Sequence, residues 1–314
     1  MKILFTGASS FTGFWFVREL VRAGHDVTAT FRRPLDSYLD EPRRARVRAL
    51  AASCRPAIGA SFGDAAFLDL VASAPWDAVC HHAAEVTGYR SPGFDALDAV
   101  ARNTNAAALV VERMKAAGCG RLVVTGTVFE ADEGAGSGDL PAFSPYGLSK
   151  TLSWQIFRFH ALRAGLSLGK FVIPNPFGPY EEPRFTAYLM DRWQAGAVAS
   201  VNTPDYVRDN IHVALLARCY AGFVTGLPAA PGVAKINPSC HVESQGSFAR
   251  RFAAEMRARL PLDCGLVFAR QAEFPEPRIR INTDPAPALV SDWDEAGAWD
   301  DLASYYAASR GTGS

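Results

Sequence analysis

Short apolar runs alternate with amphipathic segments over the first 175 residues, and this alternation constrains the fold more than any single motif. "KILFT" (2–6), "DVTAT" (26–30), part of "RPAIGASF", "DAVCHHAA" (77–84), "RLVVTG" (121–126) and "GKFVIP" (169–174) read as strands. "FTGFWFVRELVRAG", "TNAAALVVERMKAAG" and "YGLSKTLSWQIFRFHALRAG" read as helices between them. The first of these places Phe14, Val17 and Val21 on one face, and Gly24 is positioned to end it. Strands that alternate with helices in this way build a parallel sheet covered on both faces. The expected class is α/β, a Rossmann-type doubly wound parallel sheet. Beyond residue 175 prolines become dense ("IPNPFGPYEEP", "EFPEPRIRINTDPAPA") and strands shorten, which marks a smaller lobe folded against the sheet.

Composition narrows the class of function. At 49% hydrophobic and 20% charged over 314 residues, the chain is neither disordered nor membrane-spanning. Lys+Arg and Asp+Glu both count 32, so no basic excess points to nucleic acid or an anionic membrane. The six cysteines (Cys54, Cys80, Cys119, Cys219, Cys240, Cys264) are scattered without a C-x-x-C pair. Reduced thiols are expected, with no disulfide and no metal site. Residue 2 already enters a strand, with no cleavable signal peptide and no long apolar run, so the expected location is cytoplasmic.

"TGASSFTG" follows the first strand and opens the first helix. In that setting Gly7 permits the tight turn, a small residue at Ser10 lets backbone approach a pyrophosphate, and Gly13 allows close helix–strand packing. The flanking Ser9, Phe11 and Thr12 complete the expected phosphate cradle. An NAD site usually ends its second strand with an acid for the ribose hydroxyls. Here that position is Phe31, followed by Arg32 and Arg33, whose guanidinium groups suit a 2′-phosphate. NADP(H) is therefore the preferred cofactor, with NAD(H) possible. Asp64 either accepts from the adenine amino group or caps a helix.

"SPYGLSK" holds Tyr146 and Lys150 four residues apart, on one face of a helix. A phenol near pKa 10 is a poor acid–base at neutral pH, and a nearby ammonium favours its ionised form. Thr125 or Thr127 at the end of "RLVVTGT" would project at the carboxyl edge of the sheet, where a hydroxyl can hold a substrate oxygen.

These residues resemble the extended short-chain dehydrogenases/reductases, in the branch of NAD(P)-dependent nucleotide-sugar epimerases, dehydratases and reductases. "TGASSFTG" matches TGxxGxxG except at Ser10, and "HHAAEV" is similar to the cofactor-lining H-x-A-A segment. The resemblance implies cofactor contacts at Ala83, Ala84, Lys150 and Pro174. It implies a supporting Asn103 at the start of the "NTNAAALVVE" helix, and it assigns the catalytic hydroxyl to Thr125 beside Tyr146 and Lys150. Glu85, Thr127, Asn175 of "IPNPFGP" and Arg208 of "VRDNIHV" would meet the substrate, the last at its diphosphate. The dehydratases carry an acidic pair after the catalytic Thr; Gly126 and Thr127 stand there instead, which argues against dehydration. Glu130 replaces a usual glycine. His81 and His82 are expected to be packed or hydrogen-bonded rather than bases or ligands.

On this reading residues 1–174, with parts of 205–235 returning, form the dinucleotide-binding domain, and 175–314 mainly form the substrate lobe. The expected function is NADPH-dependent reduction of a nucleotide-linked 4-keto (6-deoxy) sugar, with Tyr146 as proton donor. The alternatives are a nucleotide-sugar 4-epimerase with retained NAD and an NADPH-dependent carbonyl reductase of a non-nucleotide substrate. The resemblance also implies a homodimer, with a nucleotide-diphosphate sugar as the partner molecule.

Overall fold

The computed structural model describes residues 1–309. Seven strands form one all-parallel sheet: β1 Lys2–Thr6, β2 Asp26–Phe31, β3 Arg55–Ile58, β4 Ala78–His81, β5 Arg121–Thr127, β6 Ser167–Ile173 and β7 Gly232–Ile236. Their order is β7-β6-β5-β4-β1-β2-β3, so the chain reverses direction across the sheet between β1 and β4. Ligands of open α/β sheets bind at such a reversal, outside the carboxyl ends of the strands.

The period-2 alternation of the strands divides the core into two layers. Ile3, Phe5, Ala29, Cys80, Val123 and Phe171 face one side, with α1 (Phe11–Arg22), α2 (Arg43–Ala51) and α8 (Val213–Gly226). Leu4, Val79, Leu122, Val124 and Leu168 face the other, with α3 (Ala65–Ala72), α5 (Ala107–Ala116) and α6 (Pro145–Ala164). In α1, Phe14 and Val17 are buried and Val21 packs partly against the same layer; Gly24, at φ +84°, takes the chain out of the helix.

One expectation about helices changes. The "NTNAAALVVE" segment is not one helix: α4 (Ala96–Asn103) ends at Asn103, and Ala106, at φ +48°, breaks the chain before α5. Asn103 thus sits at a helix C-terminus, not at the start of the following helix. The Arg-rich α2 is also a true element, held by Arg46, Val47 and Leu50 on its buried side.

After β6 a second core forms around Phe177, Met190, Trp193, Phe248, Phe252, Trp299 and Leu302. It is enclosed by α7 (Phe185–Gln194), α9 (Gln245–Arg259) and α10 (Glu295–Ser309). Strand Val207–His212 runs parallel to Asn175–Phe177 and antiparallel to His241–Ser244. The proline-rich stretch is ordered and partly buried: Arg280–Ile281 pairs with Ala135–Gly136, Asp284–Pro285 with Pro238–Ser239, and Arg280, Asn282 and Ala286 are buried. All six cysteines are free, and no helix among the described residues is long and apolar enough to cross a membrane.

Candidate active site

The loop after β1 is built around positions that cannot carry a larger side chain. Gly7 has φ +82°, and a Cβ there would lie 2.7 Å from the Ala83 amide nitrogen. A Cβ on Gly13 would lie 2.2 Å from the Gly7 carbonyl oxygen. Ser10 is the N-cap of α1: its Oγ accepts from Gly13 N at 3.1 Å and donates to Gly7 O at 2.9 Å. The serine side chain therefore folds into the loop instead of obstructing its outer surface. The amides of Phe11 and Thr12, in the first turn, have no intrahelical acceptor and carry the positive end of the helix dipole. This cradle fits a dinucleotide pyrophosphate.

At the end of β2, Phe31 is buried, while Arg32 and Arg33, which follow it, are exposed. Arg33 lies over the Tyr38 ring at 4.7 Å. Asp64 takes its capping role: its two carboxylate oxygens accept from Phe67 N and Ser61 N, both at 2.8 Å. Ala83, beside Ala84, donates its amide to Thr6 Oγ1 at 3.2 Å, which holds the segment after β4 against the glycine loop.

Ser144 caps α6 and Pro145 begins it, so Tyr146 and Lys150 lie one turn apart at the carboxyl edge of the sheet. Lys150 Nζ donates to the Thr125 carbonyl oxygen at 2.7 Å. Burial depresses the Lys150 ammonium pKa. Tyr146 is held above its ordinary range, first by burial and then by the negative charge of Glu130 and the neighbouring Tyr89. Lys150, whose ammonium donates to the Thr125 carbonyl, is not among the charges acting on Tyr146 in this arrangement. Around Tyr146 stand Tyr89, Phe94 and Phe129, with ring centroids 5.3, 6.2 and 6.5 Å away, and Phe143 packs on Phe129 at 4.8 Å. Thr125 Oγ1 lies 3.0 Å from His82 Nδ1, whose ring leans against Phe5 and Phe16. Thr127 donates its amide to Glu130 Oε1 at 2.8 Å.

Residues 3–226 match the family model described as the NAD dependent epimerase/dehydratase family. The chain belongs to that family. It is an enzyme of the extended short-chain dehydrogenase/reductase type. The fold is similar to that of MoeE5 determined with UDP-glucose and NAD, at 21% identity and TM-score 0.71 over 98% of this chain and 99% of the other. It is also similar to the UDP-glucuronic acid 4-epimerase of Bacillus cereus determined with UDP-glucuronic acid and NAD (16%, 0.74, 98% and 99%). A third similar structure is DesIV, the dTDP-glucose 4,6-dehydratase of Streptomyces venezuelae determined with NAD (19%, 0.74, 99% and 98%). No curated protein matches the sequence.

The turn after β5 is built around two acidic residues. Glu130 turns inward, and with Glu133 it ion-pairs with Lys170 of β6 at 2.5 and 2.6 Å. Lys170 also faces the Trp154 ring at 4.9 Å, and Glu133 is held by Asn237 and Lys235. Burial works against ionisation of Glu133, but the Lys170 charge and these hydrogen bonds outweigh it and keep its pKa low. A Cβ at position 126 would lie 2.7 Å from Lys170 Cε and 2.9 Å from Glu130 Oε1. A side chain at position 126 would force the ends of the Lys170 and Glu130 side chains to shift, so Gly126 and this cluster fit together.

The remaining sequence candidates occupy supporting positions. Asn103 accepts from Glu85 N at 2.7 Å, and its carbonyl meets His81 Nε2 at 3.0 Å. Burial and the Lys150 charge push His81 down to about 3, so it is a neutral packed ring. Burial raises Glu85, but hydrogen bonds from Thr87 and the Arg32 charge leave it below its ordinary value. Buried Pro174 lies between β6 and Asn175, which donates to Asp209 O at 3.3 Å. Arg208 is largely buried and already spent: it pairs with Glu276 at 3.0 Å, donates to the Pro277 carbonyl and lies 4.3 Å from the Tyr206 ring.

Arg46 is a residue the sequence analysis missed. Fully buried, it donates to Ser9 O at 3.1 Å, Tyr180 O at 2.6 Å and Glu182 Oε1 at 2.7 Å. It thereby ties the cofactor loop to the segment after Asn175–Phe177. In "RRARVRALA" only its placement on one stripe with Val47 and Leu50 distinguishes it from the solvated arginines.

Proposed function

We propose that this enzyme is an NADPH-dependent reductase of a nucleotide-linked 4-keto (6-deoxy) sugar. The observation that carries the cofactor choice is the end of β2, where a buried Phe31 replaces the ribose-binding acid and two exposed arginines follow. The Phe11–Thr12 amides would hold the pyrophosphate, Arg32 and Arg33 the 2′-phosphate, and Asp64, Ala83, Ala84 and Pro174 would line the cofactor. When bound, the cofactor supplies a hydride to the carbonyl carbon. Tyr146 would donate the proton to the new oxyanion, and Lys150, one helical turn from it, would hold the cofactor ribose and tune Tyr146. Its charge there lowers the barrier to losing the phenolic proton. The aromatic collar of Tyr89, Phe94 and Phe129 fits the apolar face of a deoxygenated ring. Arg208 would take the substrate diphosphate in exchange for Glu276, with Asn175, Glu85 and Thr127 near the sugar.

Exposed Leu109 of α5, with Leu148, Leu152, Phe159 and Leu162 of α6, supports a homodimer through these helices. A cytoplasmic location agrees with six free thiols.

The test is NADPH consumption with a panel of keto-sugar nucleotides. Turnover with at least one, abolished in Tyr146→Phe, is expected; no turnover with any would contradict the proposal. A 4-epimerase with retained NAD is the second reading, favoured by the NAD in the similar structures. It would show as interconversion of sugar epimers without net NADPH consumption.

A further inference from the structure

Between the glycine loop and Thr125 lies a chain of polar contacts that the proposed chemistry does not use. His82 Nε2 is 3.0 Å from Ser10 Oγ and 3.1 Å from Thr12 Oγ1, and its Nδ1 is 3.0 Å from Thr125 Oγ1. Burial, then the Lys150 charge, push the ring down to about 3, so it is neutral and carries one proton.

The location of that proton follows from counting. A serine hydroxyl has one proton and two lone pairs. Ser10 gives its proton to Gly7 O and one lone pair to Gly13 N. Gly7 O also accepts from Ser10 N at 3.2 Å. With the Ser10 hydroxyl proton on Gly7 O, its second lone pair faces His82, which assigns Nε2 as the donor. Nδ1 is then bare, and the Thr125 hydroxyl, its one hydrogen-bond partner among the described residues, donates to it. Phe5 and Phe16 pack against the imidazole and hold its orientation.

We propose that His82 is a positioning residue, locked by Ser10 as the Nε2–H tautomer, that takes the Thr125 hydroxyl proton and leaves Thr125 facing the substrate as a hydrogen-bond acceptor. Resting on the reductase reading for its consequence, this leaves Tyr146, not Thr125, as the donor to the carbonyl, and Thr125 the acceptor for the product hydroxyl. Ser10, at the position where the motif usually has glycine, then has a specific task. With glycine there, Thr12 is the only hydroxyl left at Nε2 and is free to donate, which reverses the tautomer and returns to Thr125 a proton it can offer the substrate.

The experiment is two-bond ¹H–¹⁵N correlation of imidazole-labelled protein without substrate, with the His82 signals assigned by their loss in His82→Gln. The wild type is expected to show a protonated Nε2 and a bare Nδ1, and Thr12→Val to leave this pattern in place. Ser10→Gly keeps a good N-cap residue and is expected to exchange the two nitrogens' roles or mix them. A protonated Nδ1 in the wild type would overturn the proposal, as would an unchanged pattern in Ser10→Gly. Neither result depends on turnover, so the reductase reading can fail while the tautomer assignment stands, and the reverse.

Discussion

The two faces of β5 hold their polar groups by opposite means. On the α6 face, behind Gly126, Lys170 meets Glu130 and Glu133 in a buried ionic cluster. On the α1 face, Thr125 meets His82 and Ser10 in a chain of neutral groups. Charges taken out of water are costly unless every partner is present, whereas a neutral hydrogen bond contributes only about 1 kcal/mol net. The ionic face therefore acts as a rigid anchor: it fixes the turn after β5, to which Arg280 also donates through Nε at 2.9 Å to Val128 O. The neutral face is cheap to rearrange, as suits a hydroxyl whose proton must be placed and not merely buried.

Breaking the anchor should produce the largest effect. Lys170→Met leaves two buried carboxylates, with Lys235 and Arg280 as cations near Glu133, and is expected to destabilise the fold by about 3–5 kcal/mol. Urea unfolding measures this; a loss below about 1 kcal/mol would mean the cluster is not the anchor described here.

Acid should act mainly on the neutral histidines. His81, His82 and His212 are pushed down to about 3 by burial, so between pH 6.5 and 3 the unfolded chain binds protons that the native state refuses. Glu181 and Asp209 act in the opposite sense. Burial raises them to about 7 and about 6, and each favours the native state as pH falls towards its unfolded value. His25 and His241, lowered mainly by burial, add to the losses, and Asp191, raised by burial, adds to the gains. The histidines outweigh the carboxyls, leaving a net fall on the order of 1 kcal/mol per pH unit between pH 6 and 4.5, steepening below pH 4 as the carboxyl gains end. Unfolding midpoints across this range check the sign; stability that rises steadily to pH 4 would contradict it.

The smallest effect sharpens the contrast. Ser10→Gly should cost only a few tenths of a kcal/mol, since glycine is itself a favourable N-cap, and cofactor affinity should be unchanged. A titration of both proteins with NADPH reads this directly, and a large loss of affinity would place the serine hydroxyl on the cofactor instead of on His82.

The contrast also shows what was legible in the sequence. The sheet, the glycine loop, Tyr146 and Lys150 follow from local pattern, because strand alternation and i to i+4 spacing are local. The departures at Ser10, Gly126 and Glu130 were visible as letters, but their partners were not. Lys170 is 40 residues from Glu130, and His82 is 72 from Ser10; only the folded sheet brings them together. Arg46 was hidden for a different reason: an arginine in a run of arginines reads as solvated until burial singles it out. The helix break at Ala106 has no glycine or proline to announce it.

The most direct test of the proposed chemistry is the fate of the hydride. Incubation with NADPH deuterated at the transferable position of C4 and a 4-keto nucleotide sugar should give a product with one deuterium at sugar C4 and one equivalent of NADP⁺, with no transfer in Tyr146→Phe. A sugar that changes configuration at C4 without acquiring deuterium, on protein that retains its own NAD, would contradict the reductase account and establish the epimerase.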